Sequence, residues 1–324
     1  MNMSSLSEFD LIKTYFERLG PQSCVIDSRI VSLGIGDDCA VINVPDGMSL
    51  CFSMDTMVEG VHFPVNAPPD KLAYRALAAA LSDLAAMGAK PSHFTLSLTM
   101  PSANHEWLAS FSAGLQVLVE KFNFPLLGGD TTKGSLAIAI QVHGFVSKEG
   151  YLTRSGAKAG DILAVTGTLG DAGAALDLLG KVELDGYERF LLDRYYKPTP
   201  RVPEGLVLRS LANSCIDISD GLLADAGHVS AKSGVRLHID VESLPLSHAL
   251  KVMKQELATE FAMSAGDDYE LLFSISEKNW KTLNQISEKK KYTQIGRVVT
   301  GSGLSVVRQG SPIRVKRQGF KHFE

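Results

Sequence analysis

The sequence predicts a protein of two domains that mixes α/β and α+β architecture. A chain of 324 residues is long enough to build two separate hydrophobic cores. In the second half, apolar strand-like runs alternate with helical runs, as in α/β folds. In the first half, the long alternating run over 136–146 predicts an antiparallel strand with one covered face. This pattern relaxes near 147–150, and we predict domains over residues 1–148 and 149–324.

The hydrophobic period and the helix-stop signals predict the elements in order. In the first half we predict helices over 7–19, 70–88 and 106–122, and strands over 39–44, 50–54, 95–100, 125–130 and 136–146. In the second half we predict strands over 162–166, 214–218, 235–239, 269–275, 293–299 and 304–307, and helices over 171–179, 187–196, 204–212, 222–233, 247–257 and 276–287.

Asp83 falls on the apolar stripe of the helix predicted over 70–88, together with Leu72 and Ala79. A buried carboxylate without a partner is costly, so we expect a lysine, an arginine or a metal ion beside Asp83. The alternative is an acid at the end of a helix that accepts a hydrogen bond from nearby backbone.

Composition is typical of a soluble globular protein and indicates neither a nucleic-acid nor a membrane partner. Hydrophobic residues make up 45% of the chain, charged residues 21%, and the net charge is -4. No run approaches the ~18 apolar residues of a membrane span, and residues 1–8 lack the apolar core of a signal peptide. Cys39 and Cys51 lie in apolar runs, which predicts buried free thiols in a reducing compartment. We therefore expect a cytoplasmic protein.

Acidic residues recur beside glycines at several places in both halves. The motifs are Gly34-Ile35-Gly36-Asp37-Asp38, Gly128-Gly129-Asp130, Asp217-Ile218-Ser219-Asp220-Gly221 and Gly266-Asp267-Asp268. Adjacent carboxylates repel each other unless a cation lies between them. One such turn is more often solvated than metal-binding, but the recurrence favours a metal site.

The candidate ligands are all oxygen donors: Asp37, Asp38, Asp55, Asp83, Asp130, Asp217 and Asp220. No His-x-x-x-His or cysteine pair indicates zinc, and no Asp-x-Asp-x-Asp-Gly loop indicates a calcium site. Oxygen ligands favour Mg²⁺, Ca²⁺ or Mn²⁺, and Mg²⁺ is usually shared between carboxylates and substrate phosphates. The set therefore suits several Mg²⁺ ions that serve a polyphosphate.

The common nucleotide-binding motifs are absent from the sequence. No Gly-x-x-x-x-Gly-Lys-Ser/Thr loop occurs. The segment 167–173 faintly resembles the dinucleotide fingerprint, but its spacing is wrong, and structural turn glycines are the better interpretation. Phosphate contacts could instead come from the amides of Gly128-Gly129 and from Arg154. For His62, a ligand contact and a structural role remain equally open.

Taken together, the motifs resemble those of the thiamine-monophosphate kinase family. Besides the four acidic motifs, the matching segments are Ser53-Met54-Asp55-Thr56, 81–89, 152–157, 267–271 and the end 319–323. The resemblance implies transfer of the γ-phosphoryl group of ATP to thiamine monophosphate, giving thiamine diphosphate, by a phosphotransferase with a phosphate acceptor. It also implies the two-domain fold of aminoimidazole-ribotide synthetase. In that fold the N-terminal domain binds Mg²⁺ and ATP and forms a β-barrel across a homodimer.

Position by position, the resemblance implies three sets of site residues. The Mg²⁺ ligands are Asp38, Ser53, Asp55, Asp83, Asp130, Asp217 and Asp220, with Asp37 a close second to Asp38 and a backbone contact at Met54. The ATP contacts are Gly129, Asp130, Arg154 and Ser219, and the thiamine monophosphate contacts are His62, Asp267 and Phe320. Asp220 and Arg154 would be the residues most directly involved in catalysis. The usual family residues are Thr at Met54, Glu at Asp267 and often Tyr at Phe320.

Two other functions compete with this one. Another ATP-using enzyme of the same superfamily, such as selenophosphate or aminoimidazole-ribotide synthetase, would share much of the acidic set. Selenophosphate synthetase normally has a reactive Cys or selenocysteine ahead of a glycine-rich segment, a setting that Cys24 lacks. A non-catalytic nucleotide-binding regulator would seldom need so many carboxylates.

Overall fold

The computed structural model describes residues 8–20, 28–287, 292–313 and 319. The chain divides into two compact units, Met1–Leu84 with Ala89–Glu149, and Ala85–Gly88 with Gly150–Glu324. The predictions for Cys24 and Phe320 lie outside the described residues.

The first half of the chain is organised around one four-stranded sheet. Its elements are α1 (Glu8–Leu11), β1 (Val31–Leu33), β2 (Val41–Ile42), β3 (Met48–Val58), α2 (Pro69–Ala86), β4 (Lys90–Met100), α3 (His105–Phe122), β5 (Leu126–Lys133) and β6 (Ala137–Ser147). The sheet has the order β3-β6-β4-β5, and β1 pairs with β2 separately. Strand β6 is antiparallel to both β3 and β4, which confirms the antiparallel strand predicted over 136–146.

Strand β3 is longer than the strand predicted from the sequence. The prediction is too short because polar side chains occupy the partly covered face of the strand. Cys51, Ser53 and Asp55 are half-buried, whereas Phe52 and Met54 on the opposite face are exposed. A pattern rule that seeks apolar residues on the covered face ends the strand too early. Asp55 therefore lies inside the strand rather than after it.

The predicted buried thiols are wrong at two positions. Cys39 is exposed, because the strand predicted over 39–44 reduces to the two residues Val41–Ile42. Cys51 is only half-buried.

Helices α2 and α3 approach each other so closely that only glycine fits at their crossing. A Cβ atom on Gly114 would lie 2.1 Å from the carbonyl oxygen of Asp70. Asn104 caps the start of α3 by accepting a hydrogen bond from the Trp107 amide at 2.9 Å. The close approach of Gly114 to Asp70 holds α2, the helix that carries Asp83, against α3.

A stacked histidine pair lies on adjacent strands of the same sheet. The rings of His93 on β4 and His143 on β6 are 4.5 Å apart and inclined by 10°. Burial, and then the neighbouring ring, lower the pKa of His93 to about 4, and burial lowers the pKa of His143. Both rings are therefore neutral at physiological pH.

We expect acid to destabilise the protein through His93. Its pKa is lower in the folded than in the unfolded chain, so unfolding takes up a proton, and stability falls as the pH drops from about 6.5 through about 4. The melting temperature of His93→Phe should therefore fall less between about pH 7 and 5 than that of the wild type. His248→Gln, at an exposed ring, is the control. A His93→Phe profile parallel to the wild type would contradict the prediction.

The second half of the chain forms a seven-stranded sheet flanked by helices. Its elements are β7 (Ile162–Thr166), α4 (Asp171–Ala174), α5 (Gly186–Tyr196), α6 (Val202–Leu208), β8 (Ala212–Ile218), α7 (Leu222–Ser233), β9 (Arg236–Asp240), α8 (His248–Lys254), α9 (Ala258–Ser264), β10 (Glu270–Ile275), α10 (Glu277–Ile286), β11 (Tyr292–Val299), β12 (Gly303–Arg308) and β13 (Ser311–Pro312). The order is β13-β12-β9-β11-β7-β10-β8. Strands β7 and β10 are buried along their whole length.

Most predicted elements of the second half exist, with several differences. The helix predicted over 204–212 ends at Leu208, Ala212 already belongs to β8, and β13 was not predicted. The helix predicted over 171–179 divides into α4 and a short 3-10 turn, Leu176–Leu178. Helix α9 was not predicted. It begins shortly after Gln255, whose φ of 48° interrupts the preceding helix. Among the described helices, none has both the length and the apolar character needed to cross a membrane.

Candidate active site

In the first unit, the structure brings together three of the predicted metal ligands. Ser53 and Asp55 lie two residues apart on β3, so they share one face of the strand. The Ser53 hydroxyl donates a hydrogen bond to Asp83 Oδ2 at 2.5 Å. The carboxylate of Asp83 also raises the pKa of Asp55. Strand β3 and helix α2 thus present a hydroxyl and two carboxylates to one small region, named here the Asp83 group.

The Asp83 group suits a cation. Burial, and then the negative charge of Asp83, raise the pKa of Asp55 to about 6. The same two causes raise the pKa of the Cys51 thiol. A bound divalent ion would offset this crowding of negative charge, and its ligands would be the hard oxygen atoms that Mg²⁺ prefers. The donor set therefore fits Mg²⁺.

Other predicted residues of the first unit lie apart from this group. The side chain of Met54 is 59% exposed, on the face opposite Ser53, so only its backbone could join Ser53 and Asp55. Asp130 on β5 is exposed and pairs in register with Ser97. Gly129 before it has a φ of 155°, and a Cβ atom there would lie 1.9 Å from the Leu96 carbonyl oxygen. Only glycine fits there, as the sequence motif suggested.

In the Gly34–Asp38 turn, Gly34 and Ile35 are half-buried, whereas Asp37 and Asp38 are exposed. The Asp37 carboxylate accepts a hydrogen bond from the Asp38 amide at 2.9 Å. One oxygen of the Asp37 carboxylate is thus engaged within the turn itself.

His62 is half-buried in the turn after β3. Its ring atom Nδ1 accepts a hydrogen bond from the Val58 amide at 3.0 Å. Because Nδ1 accepts this hydrogen bond, the ring is neutral and its proton is on Nε2.

In the second unit, the Asp-Ile-Ser-Asp-Gly motif spans the end of β8 and the turn into α7. Asp217 is buried and pairs in register with Leu271 of β10. Ser219 and Asp220 follow in the turn and are half-buried. The motif thus places two carboxylates and a hydroxyl at one end of the strand.

Sequence reasoning missed Asp225, which organises this turn. Its Oδ2 atom accepts hydrogen bonds from three successive amides, those of Ser219, Asp220 and Gly221, at 3.2, 3.1 and 3.1 Å. Burial, and then the charge of Asp220, raise the pKa of Asp225 to about 7, although the three amides act in the opposite direction. The sequence signal that could have identified Asp225 is its position as an acid in the first turn of a helix that begins after glycine.

Among the described residues, one trio of Asp, Glu, His or Cys side chains has donor atoms close enough to share a metal ion. Donor atoms of Asp220, Asp225 and His228 lie within 4.8 Å of one another. Asp225 is buried and already holds three amides, whereas His228 is exposed. Of these three residues, only Asp220 is predicted from the sequence as a metal ligand.

A second loop, Gly266–Tyr269, lies against this turn through backbone hydrogen bonds. The Asp267 amide donates to the Ser219 carbonyl and the Tyr269 amide to the Ile218 carbonyl, both at 2.8 Å. A Cβ atom on Gly266 would lie 2.4 Å from the Ser219 carbonyl oxygen, so the two segments are in close contact. The predicted metal and substrate residues of this unit are thus neighbours.

Arg154 is exposed in the segment before β7, but its backbone is anchored. The Ser233 hydroxyl donates to the Arg154 carbonyl at 3.2 Å, and the Cys215 amide donates to the Thr153 carbonyl at 2.8 Å. An anchored backbone with an exposed guanidinium group suits the binding of a phosphate.

Comparison with known proteins identifies the family. Residues 36–146 match the family model of AIR synthase related protein, N-terminal domain, and residues 158–309 match its C-terminal domain. The chain is 44% identical over 324 residues to thiamine-monophosphate kinase of Escherichia coli (strain K12), which covers 98% of each chain. The chain belongs to the thiamine-monophosphate kinase family. This confirms the family predicted from the motifs.

Solved structures support the same assignment. The thiamine-monophosphate kinase of Stenotrophomonas maltophilia K279a has a TM-score of 0.86 at 39% identity, and the match covers 96% of this chain and 99% of that one. AaThiL complexed with AMPPCP and TMP has a TM-score of 0.78 at 30% identity and full coverage of both chains. The predicted two-domain fold related to aminoimidazole-ribotide synthetase is therefore confirmed.

Proposed function

We propose that this chain transfers the γ-phosphoryl group of ATP to thiamine monophosphate, giving thiamine diphosphate and ADP. Family membership over the whole chain supports this reaction, as does AaThiL, whose structure holds AMPPCP, an ATP analogue, together with TMP. The observation that carries the proposal is the Asp83 group, in which Ser53 and Asp55 present hard oxygen donors beside Asp83. Such a reaction uses ATP, which is present in the cytoplasm, and we place the protein there.

Several Mg²⁺ ions would be held by the two acidic sets. In the first unit the proposed ligands are Ser53, Asp55, Asp83, Asp130 and the Asp37–Asp38 turn, with a backbone contact at Met54, and in the second unit they are Asp217 and Asp220. Bound Mg²⁺ would neutralise charge on the phosphates of ATP. Neighbouring side chains orient two of the proposed ligands. Asp83 fixes the Ser53 hydroxyl, and Asp225 fixes the backbone of Asp220.

The acceptor needs no general base. The second pKa of a phosphate monoester is about 6, so thiamine monophosphate is largely ionised at neutral pH. The main barrier is the approach of two polyanions. The Arg154 guanidinium, the amide of Gly129 and the side chain of Ser219 would bind ATP phosphates, while His62, Asp267 and Phe320 hold thiamine monophosphate. Catalysis then consists of in-line positioning and electrostatic stabilisation.

We further propose that the first domain pairs with a second copy of the chain. On β3, Phe52 and Met54 are 62% and 59% exposed on one face of the sheet, and Leu50 is exposed on the same face. Large apolar side chains on an open sheet face favour burial against a partner. A β-barrel built from the sheets of two copies would cover this face, and the protein would be a homodimer.

The decisive measurement is the product. Purified protein incubated with ATP, Mg²⁺ and thiamine monophosphate should form thiamine diphosphate, detected by chromatography after oxidation to its fluorescent thiochrome derivative. Replacement of thiamine monophosphate by unphosphorylated thiamine is the control and should yield no product, since thiamine lacks the acceptor phosphate. Binding of the nucleotide without formation of thiamine diphosphate would rule out the kinase function.

A further inference from the structure

The segment Gly266–Tyr269, named here the Asp267 loop, contains two residues in an uncommon backbone conformation. Asp267 has a φ of 69° and Tyr269 a φ of 50°. Aspartate tolerates the left-handed region, but a bulky residue such as tyrosine rarely adopts it. Such a conformation costs free energy and persists only where the surroundings impose it. The Tyr269 hydroxyl donates to Asp267 Oδ1 at 3.2 Å, so the two residues also contact each other.

Asp268 and Glu270, which alternate along the chain with Asp267 and Tyr269, are anchored in the protein interior. Asp268 is buried, and its two carboxylate oxygens accept the Gly170 amide at 3.0 and 2.8 Å. Glu270 is buried and binds three side chains. Glu270 and these three residues are named here the Glu270 cluster. The three are Arg201 at 2.5 and 2.6 Å, Arg194 at 2.9 Å and Thr166 at 2.6 Å. Anchored and strained residues thus alternate along the segment.

The turn that follows β7 is shaped around these carboxylates. A Cβ atom on Gly167 would lie 2.1 Å from Glu270 Oε1, and Gly170 has a φ of 85° while its amide binds Asp268. The glycines over 167–173 are therefore turn glycines that admit the two acids, in agreement with the structural interpretation of this motif.

Charge holds the Glu270 cluster together. Burial alone would raise the pKa of Glu270, but hydrogen bonds from Arg201 and the charges of Arg201 and Arg194 outweigh it and keep the pKa below its usual range. Glu270 is thus ionised at neutral pH. The planar fork of Arg201 contacts both oxygens of the carboxylate, which fixes its orientation as a lysine could not.

We propose that the Glu270 cluster positions the Asp267 loop for thiamine monophosphate. Glu270 is the residue after Tyr269, so its fixed carboxylate holds the end of the loop in the strained conformation that presents Asp267. Loss of the Arg201 fork would let the loop relax, and Asp267 would no longer be placed in advance for the substrate. The inference rests on the proposed function and on the assignment of Asp267 to the substrate. The Glu270 cluster itself consists of positioning residues.

Arg201→Lys tests the proposal, because it keeps the positive charge but removes the two-pronged contact. KM for thiamine monophosphate should rise about tenfold, with KM for ATP changed by less than about twofold. Exchange of the Asp267 and Tyr269 amide hydrogens, which are bonded to Ser219 and Ile218, should accelerate about tenfold. Asp267→Ala should raise the same KM. Thr166→Val removes one donor to Glu270 and, as a milder change, keeps the test valid if Arg201→Lys does not fold.

The matched control is Ser274→Ala, which alters a buried polar residue farther along the same strand. Its hydroxyl contacts Ser214 at 2.9 Å and Asp161 at 3.2 Å, outside the Glu270 cluster. This variant should lose thermal stability without a change in either KM. A merely structural role for the Glu270 cluster would make Arg201→Lys behave in the same way.

Besides unchanged KM values in Arg201→Lys, two results would overturn the positioning role. One is unchanged hydrogen exchange at Asp267 and Tyr269 in the folded variant, and the other is an equal increase in KM for both substrates. A failure of the proposed function is a different result. The wild type would then form no thiamine diphosphate, which removes the assigned substrate whatever the exchange rates are.

Discussion

Asp220→Asn should reduce kcat at limiting Mg²⁺ by at least about a hundredfold. The substitution keeps the size of the side chain and removes the negative charge that would bind the cation. Asp225 still holds the Asp220 amide, so the loop should keep its conformation. The loss should therefore be in ion binding, and high Mg²⁺ should recover part of the activity. Steady-state rates across a Mg²⁺ titration measure both effects, and calorimetry with Mg²⁺ and AMPPCP measures binding without turnover.

Asp177→Asn provides the matched control for this experiment. Asp177 lies in the same unit, and its side chain is 75% exposed in an ion pair with Lys254. Surface ion pairs contribute little to stability, so this variant should behave as the wild type. Near-wild-type rates of Asp220→Asn at limiting Mg²⁺ would refute a metal-binding role for Asp220.

Asp225→Ala should destabilise the Ser219–Gly221 turn, whose amides Asp225 binds directly. It deprives three amides of their acceptor, and a typical intramolecular hydrogen bond contributes about 0.5–1.5 kcal/mol, although the three are not additive. We expect a lower melting temperature and about a tenfold rise in KM for ATP. Asp225→Asn keeps an oxygen that can accept the amides, so it should lose much less.

The pair of variants distinguishes two roles of Asp225. If it acts by holding the turn, Asn should restore most of the affinity for ATP and Mg²⁺ that Ala loses. Equal losses in both variants, at an unchanged melting temperature, would instead show that the negative charge itself contacts the bound ion.

The sequence by itself determined the family and most of the elements. Helix α7 begins and ends where its pattern predicts, at Leu222 and Ser233, because glycine precedes and follows an amphipathic run. The motifs also singled out Asp83, an acid on an apolar helix stripe, and Asp220, one of several acids that recur beside glycines. These signals depend only on residues that are close in sequence, so they can be recognised without knowledge of the fold.

Only the tertiary structure decided what each of these acids touches. Asp83 meets Ser53 across 30 residues of sequence, and Glu270 meets Arg201 across 69. Strand β3 was predicted too short because Ser53 and Asp55 face inward, as polar residues rarely do unless a site requires them. Asp225 escaped notice because its partners are backbone amides, which every sequence contains. Hydrogen bonds to backbone and ion pairs between distant segments depend on how the chain is folded, so no local pattern records them.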